Sequence, residues 1–293
     1  MMRQADLIKI ANEKNVPKTT IDKDWVLGHL LNAFYSFVDN RANFIFKGGT
    51  CLRKCFFVDY RFSEDLDFTL LKSGFDVSEK WIRKILNTTG QNCNAKFYLD
   101  ELKMQLWNDI PQGYQIAIKF WGADHHPNQR PLPASRWLTK IHIDISFSEK
   151  SLLEPINKEI HHPYSDNENI VNIAPCYQIT EILSEKIRSL AQRNRPRDCY
   201  DVWFLSKQTD KSYLPVIKKL LIEKTVAKHI PVDSPFHFVN EKKREINLRH
   251  WEKSLQHQLP GKYLPDFNQL YSELTTFIEK IIKISVNISS AKS

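Results

Sequence analysis

The rhythm of apolar positions changes along the chain, and that change predicts its architecture. Between residues 21 and 40, Trp25, Leu27, Leu30, Leu31, Phe34 and Phe37 recur at helical spacing, with Asp22 or Asp24 placed to cap the helix. Asn43-Phe44-Ile45-Phe46 predicts a short strand that runs through Lys47-Gly48-Gly49-Thr50 into a helical stretch, where Cys51, Leu52, Cys55 and Phe56 share one side. Residues 65–71 predict a second strand and 77–87 a helix. Residues 94–122 predict strands broken by a turn at Asp109-Ile110-Pro111-Gln112-Gly113, and the polar, proline-rich segment 123–136 predicts a loop. Alternation through Ile141-His142-Ile143-Asp144-Ile145-Ser146-Phe147 marks a half-buried strand. After about residue 150 the rhythm turns helical, over 178–193, 197–207, 213–228, 247–258 and 266–284. The expected fold class is α+β, with a mixed-sheet core over 1–150 and a helical C-terminal domain over 151–293.

Composition narrows the classes. With 293 residues, 42% apolar, 7 Trp, 10 Tyr and 17 Phe, the chain can bury a core without staples, which excludes a disordered protein. No run approaches the ~18 apolar residues of a membrane span. Met1-Met2-Arg3-Gln4-Ala5-Asp6 lacks an apolar signal core, so a cytoplasmic location is expected. Cys51, Cys55, Cys93, Cys176 and Cys199 contain no CxxC pair, which reads as reduced thiols and gives little support to a zinc site. The net charge is +8, and residues 211–262, with 11 Lys+Arg against 5 Asp+Glu, supply most of it. Lys186, Arg188, Arg193, Arg195 and Arg197 form a second basic cluster. An RNA or a nucleoside triphosphate would feel that field.

The acids carry the chemistry. Asp65 and Asp67 sit two apart on the second predicted strand, so they share a face about 6.5 Å apart while Leu66 and Phe68 point into the core. Two carboxylates on one face repel unless a cation stands between them, and Mg²⁺ suits carboxylate oxygens and phosphates. Asp144 alternates with Ile143 and Ile145 and can project toward the pair from a neighbouring strand. Such a constellation suits phosphoryl or nucleotidyl transfer. Only 8 residues are glycine, yet Gly48 and Gly49 adjoin at a strand-to-helix turn before Asp65. Glycine there lets the backbone approach a phosphate; Thr50 adds a hydroxyl and Lys47 a charge.

In the second half, Lys186 and Arg193 share a helix face, and Pro196 fits the first turn of the next helix. That places Asp198 where the helix dipole favours a carboxylate, with Arg197 as a surface partner. His125-His126 reads as a loop pair, His142 as a satisfied strand histidine, Cys51 and Cys55 as core, and Trp203 and Phe204 as packing residues.

Phe46-Lys47-Gly48-Gly49-Thr50-Cys51-Leu52-Arg53-Lys54, followed by Arg61-Phe62-Ser63-Glu64-Asp65-Leu66-Asp67-Phe68, resembles the AbiEii/AbiGii family of nucleotidyltransferase toxins, within the DNA polymerase β-like nucleotidyltransferase superfamily. Glu185-Lys186-Ile187-Arg188-Ser189-Leu190-Ala191-Gln192-Arg193 with Arg195-Pro196-Arg197-Asp198-Cys199-Tyr200-Asp201-Val202 is similar to the family's second block. The resemblance implies a polymerase-β-like core and a helical domain that completes a cleft. It implies that Gly48, Gly49 and Thr50, beside Lys47, hold the triphosphate of an NTP, and that Asp65, Asp67 and Asp144 bind Mg²⁺. It further implies that Lys186 contacts the nucleotide, beside Arg193 and Arg197, and that either Asp198 or Asp201 is essential. The activity so implied is transfer of nucleotides to RNA, tRNA above all, by the toxin of a toxin–antitoxin or abortive-infection system, with an antitoxin partner. A nucleotidyltransferase acting on a small molecule or a protein, and a non-catalytic RNA-binding protein, are the alternatives.

Overall fold

The structure is a computed structural model that describes residues 2–72, 74–125, 129–226 and 228–286. The chain forms two compact units: residues 1–177 with 257–262, and 178–256 with the segment from 263 onward.

The first unit begins with two helices, α1 (Gln4–Lys14) and α2 (Lys18–Ser36), then a short α3 (Val38–Asn43). The expected single helix over 21–40 thus starts earlier and breaks after Ser36, where Phe37 is extended. Asp22 and Asp24 do not cap it. Both are buried inside α2, Asp22 accepting from the Ala123 amide at 2.8 Å and Asp24 ion-paired with Arg53 and Lys54. Strand β1 (Phe44–Lys47) leads into α4 (Gly48–Cys51), which a π-helical turn extends over Leu52–Phe56. Then come β2 (Leu66–Leu70) and α5 (Glu79–Cys93), with Ser78 capping α5 by accepting from the Trp81 amide. A long hairpin follows, β3 (Lys96–Trp107) and β4 (Ile110–Trp121). Its turn is Asn108-Asp109, both at positive φ, so the expected turn at 109–113 is corrected: Pro111 and Gly113 lie within β4. Within the expected loop, Ala134–Arg136 forms a short 3₁₀ turn, His125 stacks on Trp121, and His126 lies outside the described residues.

Strand β5 (Lys140–Ser146) matches the predicted alternation, and β6 (Ile156–Glu159) and β7 (Ile173–Cys176) follow it. These last two strands correct the expectation of helix after residue 150. They are four residues each, too short for a period to show, and they carry the first unit on to Tyr177 rather than residue 150. The seven strands form one mixed sheet in the order β3-β4-β5-β2-β1-β7-β6, with β2–β5 and β1–β7 parallel. One face of the central strands is aromatic: Phe44, Phe46 and Phe68 pack with Phe34 of α2 and Trp81 of α5, Phe34 stacking on Phe68 at 4.3 Å between ring centroids. The opposite face carries the polar residues of the same strands.

The second unit is helical: α6 (Ile179–Gln192), α7 (Pro196–Gln208), α8 (Leu214–Val226), α9 (Glu241–Leu255) and α10 (Phe267–Lys283). Pro196 occupies the first helical position of α7, as expected, and the helix predicted over 247–258 begins earlier, where Asn240 accepts from the Lys243 amide. Trp203 and Phe204 contact the Tyr200 ring but stay half-buried at the edge of the core. No helix among the described residues is long and apolar enough to cross a membrane.

Candidate active site

Strand pairing fixes the geometry of the site. Lys47 opposes Asp67 across the antiparallel β1–β2 pair, Asp67 lies beside Asp144 in the parallel β2–β5 pair, and Asp144 opposes Gln115 across β5–β4. Residues in register share a face. Lys47, Asp67, Asp144 and Gln115 therefore form one polar row across four adjacent strands, on the side away from the Phe34–Phe68 core. The burial pattern agrees: Leu66 and Phe68 are buried, Asp67 and Asp144 half-buried. Asp65 immediately precedes β2 instead of lying within it, and it is also half-buried.

The row has built-in supports. Gln115 Nε2 donates to Asp144 Oδ1 at 3.2 Å. Lys47 is buried, pairs with Glu149, and stands 5.4 Å from the centre of the Tyr177 ring. The sequence reading missed Gln115 and Glu149. Gln115 was findable only through the β4–β5 register, and Glu149 follows the end of β5, where no periodicity points to it. His142 shares the site face of β5 with Asp144, but its Nδ1 has no hydrogen-bond partner among the described residues, so the expected satisfied histidine is not observed.

The glycine turn lies against this row. Gly48 has φ +80°, a conformation that side chains resist, and a Cβ there would stand 2.8 Å from Asp67 Cγ. At Gly49 a Cβ would come within 3.0 Å of Arg61 Nη2 and Ser63 Oγ. Gly48 thus needs glycine on both counts, while at Gly49 a side chain would press on Arg61 and Ser63. Thr50 is fully buried and its hydroxyl donates to the Asp65 carbonyl oxygen, so it ties the turn to the acid. Behind the turn, Asp24 accepts from Arg53 Nε at 2.7 Å, Lys54 Nζ at 2.8 Å and the Tyr164 hydroxyl at 2.6 Å, all buried. Burial alone would raise the Asp24 carboxyl, but the two cations hold it well below the usual carboxylate range.

In the helical unit, the second block folds into one ion cluster around two buried acids. Arg193 grips Asp198 with both arms, Nε to Oδ2 at 2.7 Å and Nη2 to Oδ1 at 3.1 Å. Lys186 Nζ lies 2.7 Å from Asp201 Oδ2 and 3.7 Å from Asp198 Oδ1. Arg193 thus takes the place expected of Arg197, whose side chain makes no ion pair or hydrogen bond among the described residues. Asp198 and Asp201 are both buried, a result helix-end statistics cannot give. The basic segment 211–262 also differs from a simple charged surface. Lys224 is buried between Glu181 at 2.6 Å and Glu185 at 3.0 Å. Lys218 donates to the carbonyls of Val232 and Ile282, and Lys243 to that of Leu190.

No curated protein matches the sequence. Among solved structures, the chain is similar to MenT4, a nucleotidyltransferase toxin from Mycobacterium tuberculosis H37Rv, with TM-score 0.62 and 15% identity over 97% of this chain and 91% of that one. It is also similar to JHP933 from Helicobacter pylori, with TM-score 0.54 and 15% identity over 92% of this chain and 94% of that one. At such identity the likeness establishes the fold, an α+β nucleotidyltransferase architecture with a mixed sheet. The family model for the nucleotidyl transferase AbiEii toxin of type IV toxin–antitoxin systems matches residues 29–273, a span that takes in the glycine turn, the three acids and the Lys186–Asp201 cluster. The chain belongs to the AbiEii family of nucleotidyltransferase toxins.

Proposed function

We propose that this nucleotidyltransferase transfers a nucleotide from an NTP to the 3′ end of an RNA, with tRNA as the acceptor, and so blocks translation in the cytoplasm until an antitoxin counters it. The observation that carries the reading is the side-by-side placement of Asp67 and Asp144 in one row with Lys47, against a glycine turn where a side chain at Gly48 would strike Asp67.

The donor chemistry suits a divalent cation, since Asp65, Asp67 and Asp144 offer only hard carboxylate oxygen from half-buried positions, and the three carboxylates would have to draw together to share one ion. Mg²⁺ held there would neutralise triphosphate charge and acidify the attacking hydroxyl. The turn Gly48-Gly49-Thr50 presents backbone to the triphosphate, with Thr50 fixing its distance from Asp65. Asp144, oriented by Gln115, accepts the proton of the RNA 3′-hydroxyl as that oxygen attacks the α-phosphorus and pyrophosphate leaves. Holding both reactants in line supplies most of the acceleration in such chemistry. In the helical unit, Lys186, Arg193 and Arg197 serve as cations for phosphate. Arg197 is the one with its charge unspent among the described residues, and Asp201 is the closer partner of Lys186.

One observation favours a second reading, a small-molecule or protein acceptor. Lys218, Lys224 and Lys243, three of the basic residues of 211–262, are committed to internal partners and do not add to an RNA-facing field. Incubation of the purified protein with total RNA, Mg²⁺ and each α-³²P-labelled NTP separates the two. The RNA reading expects a labelled band of tRNA size that Asp67→Ala abolishes, and a binding constant that falls steeply with salt. Label in no RNA with any NTP refutes it and passes the reaction to the other acceptor classes.

A further inference from the structure

Two buried clusters outside the candidate active site hold metal-binding side chains. In the first, His29 Nε2 and His162 Nε2 each lie 3.2 Å from Asp166, which also accepts from Trp25 Nε1 at 3.1 and 3.2 Å. That carboxylate is already enclosed by donors, and the knot ties α2 to the segment before β7. The second cluster is of a different kind. Cys51 on α4, Cys55 one helical turn later in the π-helical turn, and Cys176 at the end of β7 bring their three Sγ atoms within 4.8 Å of one another.

We propose that Cys51, Cys55 and Cys176 form a thiolate site for a soft divalent metal of the zinc class, placed behind the glycine turn. Zinc–sulfur bonds of about 2.3 Å in tetrahedral geometry require sulfur atoms about 3.8 Å apart. The cluster therefore closes around an ion by side-chain shifts of about 1 Å or less. An all-sulfur donor set selects against Mg²⁺ and for zinc-like ions, which keeps this site chemically separate from the carboxylate row. Apart from one another, the thiols have weak partners in the fold: Cys51 Sγ reaches the Phe46 carbonyl at 3.6 Å, and Cys176 Sγ the Ala174 carbonyl at 3.3 Å. Cys51 and Cys176 are fully buried and Cys55 half-buried, so Cys55 is the member of the trio nearest to solvent. Three thiolates around a divalent ion leave one negative charge; Lys158 and Lys54 both act on Cys55, Lys54 while its Nζ is paired with Asp24 at 2.8 Å. On ligation each thiol gives its proton to solvent, so binding tightens as pH rises. Phe46 pairs with Cys176 across β1–β7, and Cys51 follows the Gly48-Gly49-Thr50 turn directly, so the bound ion cross-links that turn to β7.

The test is a titration of the full-length, reduced, chelator-treated protein with Co²⁺, followed by displacement with Zn²⁺. The expected result is a near-ultraviolet thiolate-to-Co²⁺ band that saturates at one equivalent, persists in Cys93→Ser and Cys199→Ser, and is lost in Cys55→Ser. Absence of the band, or its survival in Cys55→Ser, overturns the proposal. Because a cysteine variant can fail to fold, the wild-type chain supplies the second measurement. One equivalent of Zn²⁺ slows alkylation of Cys55 by iodoacetamide at least tenfold, read by peptide mass spectrometry, and unchanged Cys55 reactivity overturns the proposal. Neither readout depends on the acceptor of the nucleotidyl transfer.

Discussion

Replacing Gly48 with alanine separates the contribution of the glycine turn to catalysis from its contribution to stability. The residue sits at φ +80°, where an L side chain costs about 1–2 kcal/mol. A total stability of about 5–15 kcal/mol absorbs that, so Gly48→Ala is expected to fold with a modest fall in urea midpoint. The added Cβ meets Asp67 Oδ2 at 2.1 Å and Cγ at 2.8 Å, and ordinary contact lies at about 3.4–4 Å, so the Asp67 carboxyl must retreat by about 1 Å or more. A displacement of about 1 Å in a positioned catalytic group costs on the order of 100-fold in rate. The assay is nucleotidyl transfer under saturating NTP beside urea unfolding of the same preparation. The expected pattern is a loss of about two orders of magnitude in kcat with no more than ~2 kcal/mol of stability lost. Activity within threefold of wild type refutes the claim that the turn positions Asp67. A collapse of stability in proportion to activity refutes the separation of the two roles.

Three further outcomes follow from named contacts. Burial pushes the Asp22 carboxyl up to about 7, so the folded chain holds a proton that the unfolded chain releases above about pH 4. Stability then falls as pH rises through that window, by up to about 1.4 kcal/mol per pH unit, and Asp22→Asn should unfold at higher urea than wild type at pH 8 but approach it below about pH 4; equal midpoints at pH 8 count against it. Asp24 is depressed instead, so its stabilisation is present above about pH 4 and is lost as pH falls below that. Asp24→Asn leaves Arg53 and Lys54 buried without their anion and should cost about 3–5 kcal/mol in urea unfolding at pH 7, with a loss under 1 kcal/mol speaking against the pairing. Gln115→Leu removes the donor that orients Asp144 and should lower kcat about tenfold, the equivalent of one hydrogen bond to a charged group at about 1.5 kcal/mol, while the urea midpoint stays put; an unchanged kcat would show that Asp144 orients without it.

The polar row was partly legible because strand chemistry is local. Alternation alone places Asp67 and Asp144 opposite their apolar neighbours, and the structure repeats that pattern residue by residue. It could not give the order of strands, so that Asp67 and Asp144 lie side by side, with Lys47 and Gln115 flanking them, rests on pairings between segments far apart in sequence. Strands β6 and β7 escaped because a four-residue strand carries barely one full period. Buried ions were the least legible feature. From the sequence Asp22 and Asp24 read as caps and Asp198 as a helix-end charge with a surface partner, and only tertiary partners decide that each sits inside. Lys218, Lys224 and Lys243 look like RNA-facing charges until their carbonyl and carboxylate partners are known. Cys51 and Cys55 read as core at helical spacing, and nothing local announces Cys176 beside them.

Those hidden contacts explain why a short glycine turn can serve as a precise support. Left alone, Gly48-Gly49 is the most permissive dipeptide in its region, and its flexibility would blur the position of Asp67. Three attachments remove that freedom from different directions. Thr50 bonds the carbonyl of Asp65 in front; Arg53 and Lys54 grip Asp24 of α2 behind; and Arg61, held by the carbonyl of Phe62 and by Gln258 Oε1 at 3.1 Å, closes over Gly49. The Asp24 and Arg61 attachments are buried and involve a charged group, the class of interaction whose loss is most costly. Glycine supplies the conformation and the buried polar groups supply the rigidity. The turn can then offer bare backbone to a triphosphate and still hold a carboxylate within the fraction of an ångström that in-line transfer demands.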